Sequence, residues 1–115
     1  MPKNMTSTFP TKSQKREIRR LAAIAHEREL TQAATKLLQQ FHRWQKKEID
    51  VFQLNKSIHD FHDGIARDLY KSYAMVDPYW GAVHAISNGI LREDEVDAEI
   101  FKRLFHPELI KNEKA

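Results

Sequence analysis

The chain has no cysteine and only three glycines and four prolines in 115 residues. Without cysteine there is no disulfide framework, no thiolate metal ligand and no thiol nucleophile. Few glycines and prolines, and hardly any alternating β-branched runs, exclude a β-rich architecture and predict an all-α chain. No apolar run approaches the roughly 20 residues needed to span a bilayer. The opening segment, residues 1–10, lacks the apolar centre of a secretory signal. No phosphate-cradling glycine loop and no nucleophile elbow is present. These absences lead to the expectation of a soluble, cytoplasmic protein without a cofactor.

What the chain does have is 41% hydrophobic residues, with six Phe, three Tyr and two Trp, and 30% charged residues. That is material for one packed core, and the length predicts one domain. The expected organisation is a flexible tail over 1–10, a single helical domain over 11–110 and a frayed end over 111–115. Net charge is +3, unevenly spread. Residues 1–47 carry eleven Lys and Arg against three Glu, whereas residues 48–115 carry eight against thirteen Asp and Glu. This split suits halves that fold onto each other, copies that associate head to tail, or an arm for a polyanion.

Thr11 and Gln14 form a helix-start pair, and a long helix is expected from there to about Trp44. Its apolar stripe through Ile18, Leu21, Ala22, Ile24 and Ala25 does not share a centre with the later one through Leu30, Ala33, Ala34, Leu37, Leu38, Phe41 and Trp44. The rotation, by about a quarter turn, predicts a bend or two different neighbours, a second chain being one such neighbour. Asp50 and Gln53 make a capping box, with Ile49 and Leu54 at the staple positions. The short connection before them predicts an antiparallel hairpin. Val51, Leu54, Ile58, Phe61, Ile65 and Leu69 are the expected buried stripe of the second helix. Pro78 opens a short helix that Asn88-Gly89 closes, and Asp94 is the expected cap of a last one ended by Pro107.

Titratable groups are densest between Ser57 and Tyr70. His59 and Asp63, Lys56 and Asp60, and Asp63 and Arg67 are each four apart, the spacing at which helical side chains meet. His59 and His62 with Asp63 are candidates for a metal or acid–base site. The facing segment Thr35–Gln39 of a hairpin, however, offers no carboxylate. The alternative is a boundary histidine at 62 and a surface hydrogen bond between His59 and Asp63. Gly64 falls on the polar side of the helix, where glycine costs about 1 kcal/mol relative to alanine. It can end the helix, kink it or admit another backbone; the constant phase of the apolar stripe favours a continuous or gently bent helix. His59, His62, Asp63, Gly64 and Arg67 together form the candidate functional surface.

Two further patterns have weaker chemical content. Lys12, Lys15, Arg16, Arg19 and Arg20 form a basic helix start that can lie against phosphate. Tyr70, Tyr73, Tyr79 and Trp80 can line a pocket with His84, or serve as core with wet polar tips.

The run Ile58-His59-Asp60-Phe61-His62-Asp63-Gly64-Ile65-Ala66-Arg67, with Arg16-Glu17-Ile18 and His26-Glu27-Arg28-Glu29-Leu30 before it, resembles small bacterial all-helical proteins of uncharacterised function. The resemblance implies an all-α fold and a bacterial, cytoplasmic origin, and no catalytic residue or ligand. The expected architecture is a long antiparallel helical hairpin with two short C-terminal helices, its bundle completed by dimerisation. The expected role is a non-catalytic interaction or assembly module. A metal or acid–base site on His59, His62 and Asp63 is the first alternative, and nucleic-acid binding through Lys12–Arg20 the second.

Overall fold

In the computed structural model, which describes residues 9–105, Thr11 and Gln14 close a reciprocal cap. The Gln14 amide donates to Thr11 Oγ1 at 3.2 Å and the Thr11 amide to Gln14 Oε1 at 2.8 Å. These bonds satisfy two of the amides that a helix start leaves without partners. Helix α1 then runs over Lys12–Gln45. Its end is a Schellman turn in which the Glu48 amide donates to the Arg43 carbonyl and the Lys47 amide to that of Trp44. The turn places Lys47 at φ 64°, a left-handed position that favours glycine.

Asp50 and Gln53 form the expected box, with bonds of 2.8 and 2.9 Å, and Ile49 and Leu54 are buried beside it. Helix α2 covers Val51–Asp60, a π-helical turn Phe61–Ile65 follows, and α3 covers Ala66–Tyr73. Helix α4 spans Pro78–Ser87, a 3₁₀ turn Glu93–Glu95 comes next, and α5 spans Ala98–Phe105. The chain is all-α, as its composition predicts. Gly89, at φ 75°, closes α4 through the expected turn, the Ile90 amide donating to the Ala85 carbonyl at 2.8 Å. The cap of α5 differs from expectation. Asp97, not Asp94, accepts the Glu99 and Ile100 amides, while Asp94 lies in the 3₁₀ turn and pairs with Arg92. The expected stop at Pro107 and the segments 1–8 and 111–115 lie outside the described residues.

The contacts divide the chain into two compact units. In the first, residues 9–25 associate with 78–105. Ile18, Leu21, Ala22 and Ala25 of α1 share its core with Ala82 and Ala85 of α4, Leu91, Val96, and Ile100 and Leu104 of α5. The first stripe of α1 is therefore filled from within the chain. Its rotation records a change of intramolecular neighbour and needs no second copy to explain it.

The second unit, His26–Asp77, is the antiparallel hairpin. Gln40 lines one groove with Ser57, while Glu29 near its other end bonds Tyr73. The expected stripe of the second helix is only partly buried: Leu54 and Leu69 are covered, but Val51, Ile58 and Ile65 are exposed. Two helices cover one seam, and residues flanking it keep their solvent. The helix also departs from a constant phase. The Ala66 amide donates to the Phe61 carbonyl, five residues back, so the turn takes in one residue more than an α turn.

That extra residue has a specific consequence. Tyr73 lies nineteen positions after Leu54. At about 100° per residue, a regular helix would set them roughly 100° apart. The π turn takes back about one residue's rotation and returns Tyr73 to the Leu54 seam. Tyr73 is 5% exposed, and Ile65, inside the turn, is 45% exposed. The turn trades burial of Ile65 for burial of Tyr73.

Candidate functional site

The hairpin carries the candidate surface on the π turn and its two flanking helices. His59 Nε2 lies 3.0 Å from Asp63 Oδ2, and Lys56 Nζ donates to Asp60 Oδ2 at 2.7 Å, both on exposed side chains. Helical spacing thus predicts these two pairs correctly. The third, Asp63 with Arg67, does not form, and Arg67 makes no ion pair among the described residues. Asp63 lies inside the π turn and Arg67 just after it, and re-phasing there changes which side chains meet at a spacing of four.

His62, Asp63, Ala66, Arg67 and Tyr70 line a shallow open recess of about 440 Å³. Every wall of it comes from this one helical stretch. Gly64 does not line it. Its backbone has no positive φ, and nothing lies within 4 Å of a Cβ placed on it. No close approach inside the chain requires this glycine. Among the described residues, no three of His, Asp and Glu converge to hold a metal ion.

A larger feature lies along the hairpin. A groove of about 570 Å³ runs between α1 and α2, with Glu29, Ala33, Lys36 and Leu37 on one wall and Asp60, Phe61 and Ile65 on the other. Gln32, Gln40 and Ser57 complete it. Lys36 and Leu37, from the segment Thr35–Gln39 expected opposite His59 and His62, line it with Asp60 and Phe61, while neither histidine does. Reading α1 for buried positions alone misses this wall. The signal was present in Glu29, Ala33 and Lys36, which recur at helical spacing.

At one end of the hairpin, the Tyr73 hydroxyl donates a short hydrogen bond to Glu29 Oε2. The His26 ring stacks on that of Tyr73, with centroids 5.4 Å apart and planes at 16°. Burial, then the bond to Glu29, then the charge of that carboxylate push the Tyr73 phenol well above its ordinary value of 10. This cluster of His26, Glu29 and Tyr73 is not evident from sequence, because its members are up to 47 positions apart. Of the aromatic group that can line a pocket or serve as core, the two units hold different members. Tyr73 is core, Tyr70 lines the recess, and Tyr79 and Trp80 form an edge-to-face pair in the first unit at 4.9 Å.

On α1, Lys12, Lys15, Arg16, Arg19 and Arg20 are all exposed. Arg20 is held by Glu17, with bonds of 2.8 and 2.6 Å, and the other four make no ion pair among the described residues. Spacings of three and four place them on one face, opposite Ile18 and Leu21. Among the described residues, no helix is long and apolar enough to cross a membrane. No protein-family model, curated protein or solved structure matches the chain.

Proposed function

We propose that this chain is a non-catalytic helical interaction module of the cytoplasm, whose hairpin receives a protein partner along the groove between α1 and α2. The observation that carries this reading is the incomplete burial of the hairpin. Phe61 is half-buried and Ile65 is 45% exposed along one side, beside Leu37 and Ala33. Leu38, Val51 and Ile58 are exposed as well. Apolar surface returns about 25 cal/mol per Å² when removed from water, and a second helix laid on the groove removes it.

A photo-crosslinking residue replacing Ser57, on the groove wall, tests the reading in cells. The expected product is a covalent adduct with a second polypeptide, whether this chain or another. The same residue replacing Lys71, outside the groove, should give none. Absence of any adduct from position 57 would remove the reading.

A second reading has its own observation, the four unpaired cations on one face of α1. They favour a phosphate polyanion such as nucleic acid. Its affinity for a random-sequence duplex should fall steeply with salt and weaken in Arg16→Ala plus Arg19→Ala. Binding that is absent at low salt, or flat with salt, rejects this reading.

A further inference from the structure

The groove has a property that selects its occupant. Glu29 and Lys36 stand on the same wall of α1, seven residues and therefore about 10 Å apart along the helix axis. Midway between them are Gln32 and Ala33, which also line the groove. A two-fold axis perpendicular to α1, passing beside the helix level with that midpoint, runs a second α1 antiparallel to the first. It sets each Glu29 carboxylate opposite the Lys36 ammonium of the other copy. The arrangement satisfies its own symmetry, because the same patch supplies both halves of each contact.

We infer that the groove is an isologous interface in which a second copy of this hairpin packs antiparallel across Ala33, forming a four-helix arrangement. The inference rests on the reading of the groove as a protein-binding surface and names the protein that fills it.

Three features support a second copy over an unrelated helix. Lys36 has no ion pair among the described residues, while the neighbouring Asp60 is taken by Lys56, so the groove holds a cation without a counter-charge from its own chain. The Glu29 carboxylate accepts from Tyr73, and an ionised carboxylate accepts more than one donor. Ala33 puts only a methyl group at the crossing, and small residues there let helix axes approach to the close end of the ~8–10 Å range. Leu37, Phe61 and Ile65 flank the crossing and supply the apolar burial, while the charged pairs set direction and register, as flanking charges do in coiled coils.

The test uses the full chain and its lack of cysteine. Sedimentation equilibrium should show a reversible dimer at micromolar concentration. Lys36→Glu, at a side chain with no ion pair to lose, puts like charges opposite each other twice by symmetry. It should weaken the dimer at least about tenfold, or about 1.4 kcal/mol. The double variant Glu29→Lys plus Lys36→Glu should restore association, circular dichroism establishing that it is folded.

Ala33→Cys should form a disulfide-linked dimer under mild oxidation, and Leu38→Cys, which does not line the groove, should not. A dimer unaffected by Lys36→Glu, or linked through Leu38→Cys but not Ala33→Cys, overturns the inference. A monomeric chain that still cross-links another protein from position 57 overturns self-pairing and leaves the broader reading standing. A monomer with no adduct at all ends both.

Discussion

The Tyr73 hydroxyl donates to the Glu29 carboxylate across 44 positions of sequence, tying the end of α3 to α1. Without the π turn, Tyr73 would sit roughly 100° around the helix from this seam. The bond therefore joins a local irregularity of the backbone to the closure of the whole hairpin.

Removing the hydroxyl should weaken the hairpin. Tyr73→Phe keeps the ring and its stack with His26 but leaves Glu29 without this donor. Hydrogen bonds to charged groups contribute about 1.5–3 kcal/mol, so a loss of about 2 kcal/mol is expected in urea denaturation. The pH dependence should change too. Folding raises the Tyr73 value above 10, so the folded chain holds this proton more tightly than the unfolded one. The stabilisation is complete below about pH 10 and is lost as pH rises through the higher folded value. Wild type should therefore lose more stability than Tyr73→Phe on going from pH 9 to pH 11. Parallel curves would show that the phenol is not linked to folding.

Gly64→Ala is expected to stabilise. A Cβ there meets nothing within 4 Å, the backbone is not left-handed, and alanine is preferred over glycine in helices by about 1 kcal/mol. An increase of up to about that size in denaturant stability is the prediction. A net loss would mean that the π turn, and with it the burial of Tyr73, depends on a weak helix former at this position.

Lys47→Gly should also stabilise, for a different reason. Lys47 occupies the left-handed position of the turn that ends α1. Glycine relieves the Cβ strain there, and a gain of about 0.5–1 kcal/mol is expected after its larger unfolded-state entropy is subtracted. Thermal melting would register it, and an unchanged or lower midpoint would contradict the assignment of strain to this residue.

Glu17 and Arg20 offer a test on α1. Hydrogen bonds from Arg20 hold the Glu17 carboxyl below its ordinary value of 4.5, against the opposing effect of burial. The contribution to stability is present above the ordinary value and disappears as pH falls through the lower folded one. In an NMR titration, the Glu17 side-chain carboxyl should move at a lower pH than an unpaired glutamate. Arg20→Ala should bring it back, and an identical midpoint in that variant would remove the pair as the cause.

Local features were legible in the sequence because their causes are local. Both reciprocal caps, at Thr11 with Gln14 and Asp50 with Gln53, connect residues three apart. The glycine stop at Gly89 needs only a left-handed residue at a helix end. The pairs of Lys56 with Asp60 and His59 with Asp63 follow from helical geometry. Asp97 took the cap expected of Asp94 because Arg92 and Glu95 close a competing 3₁₀ turn just before it. The candidate surface was legible only as composition: its residues lie near one another because they share one helix, not because the fold gathers them.

By itself, the sequence determined the helical class, the caps and turns and the hairpin direction, all of which follow from periodicity and from the termini of helices. Tertiary structure decided the rest. It matched the first third of α1 with the C-terminal helices, so the rotated stripe is filled within the chain. It set the phase of Tyr73 against Glu29 through a π turn whose register no regular wheel anticipates. And it left Ile65 beside Lys36 and Ala33 in an open groove. Periodicity tells which residues share a face; only packing decides which faces are covered, because burial depends on neighbours far away in the chain.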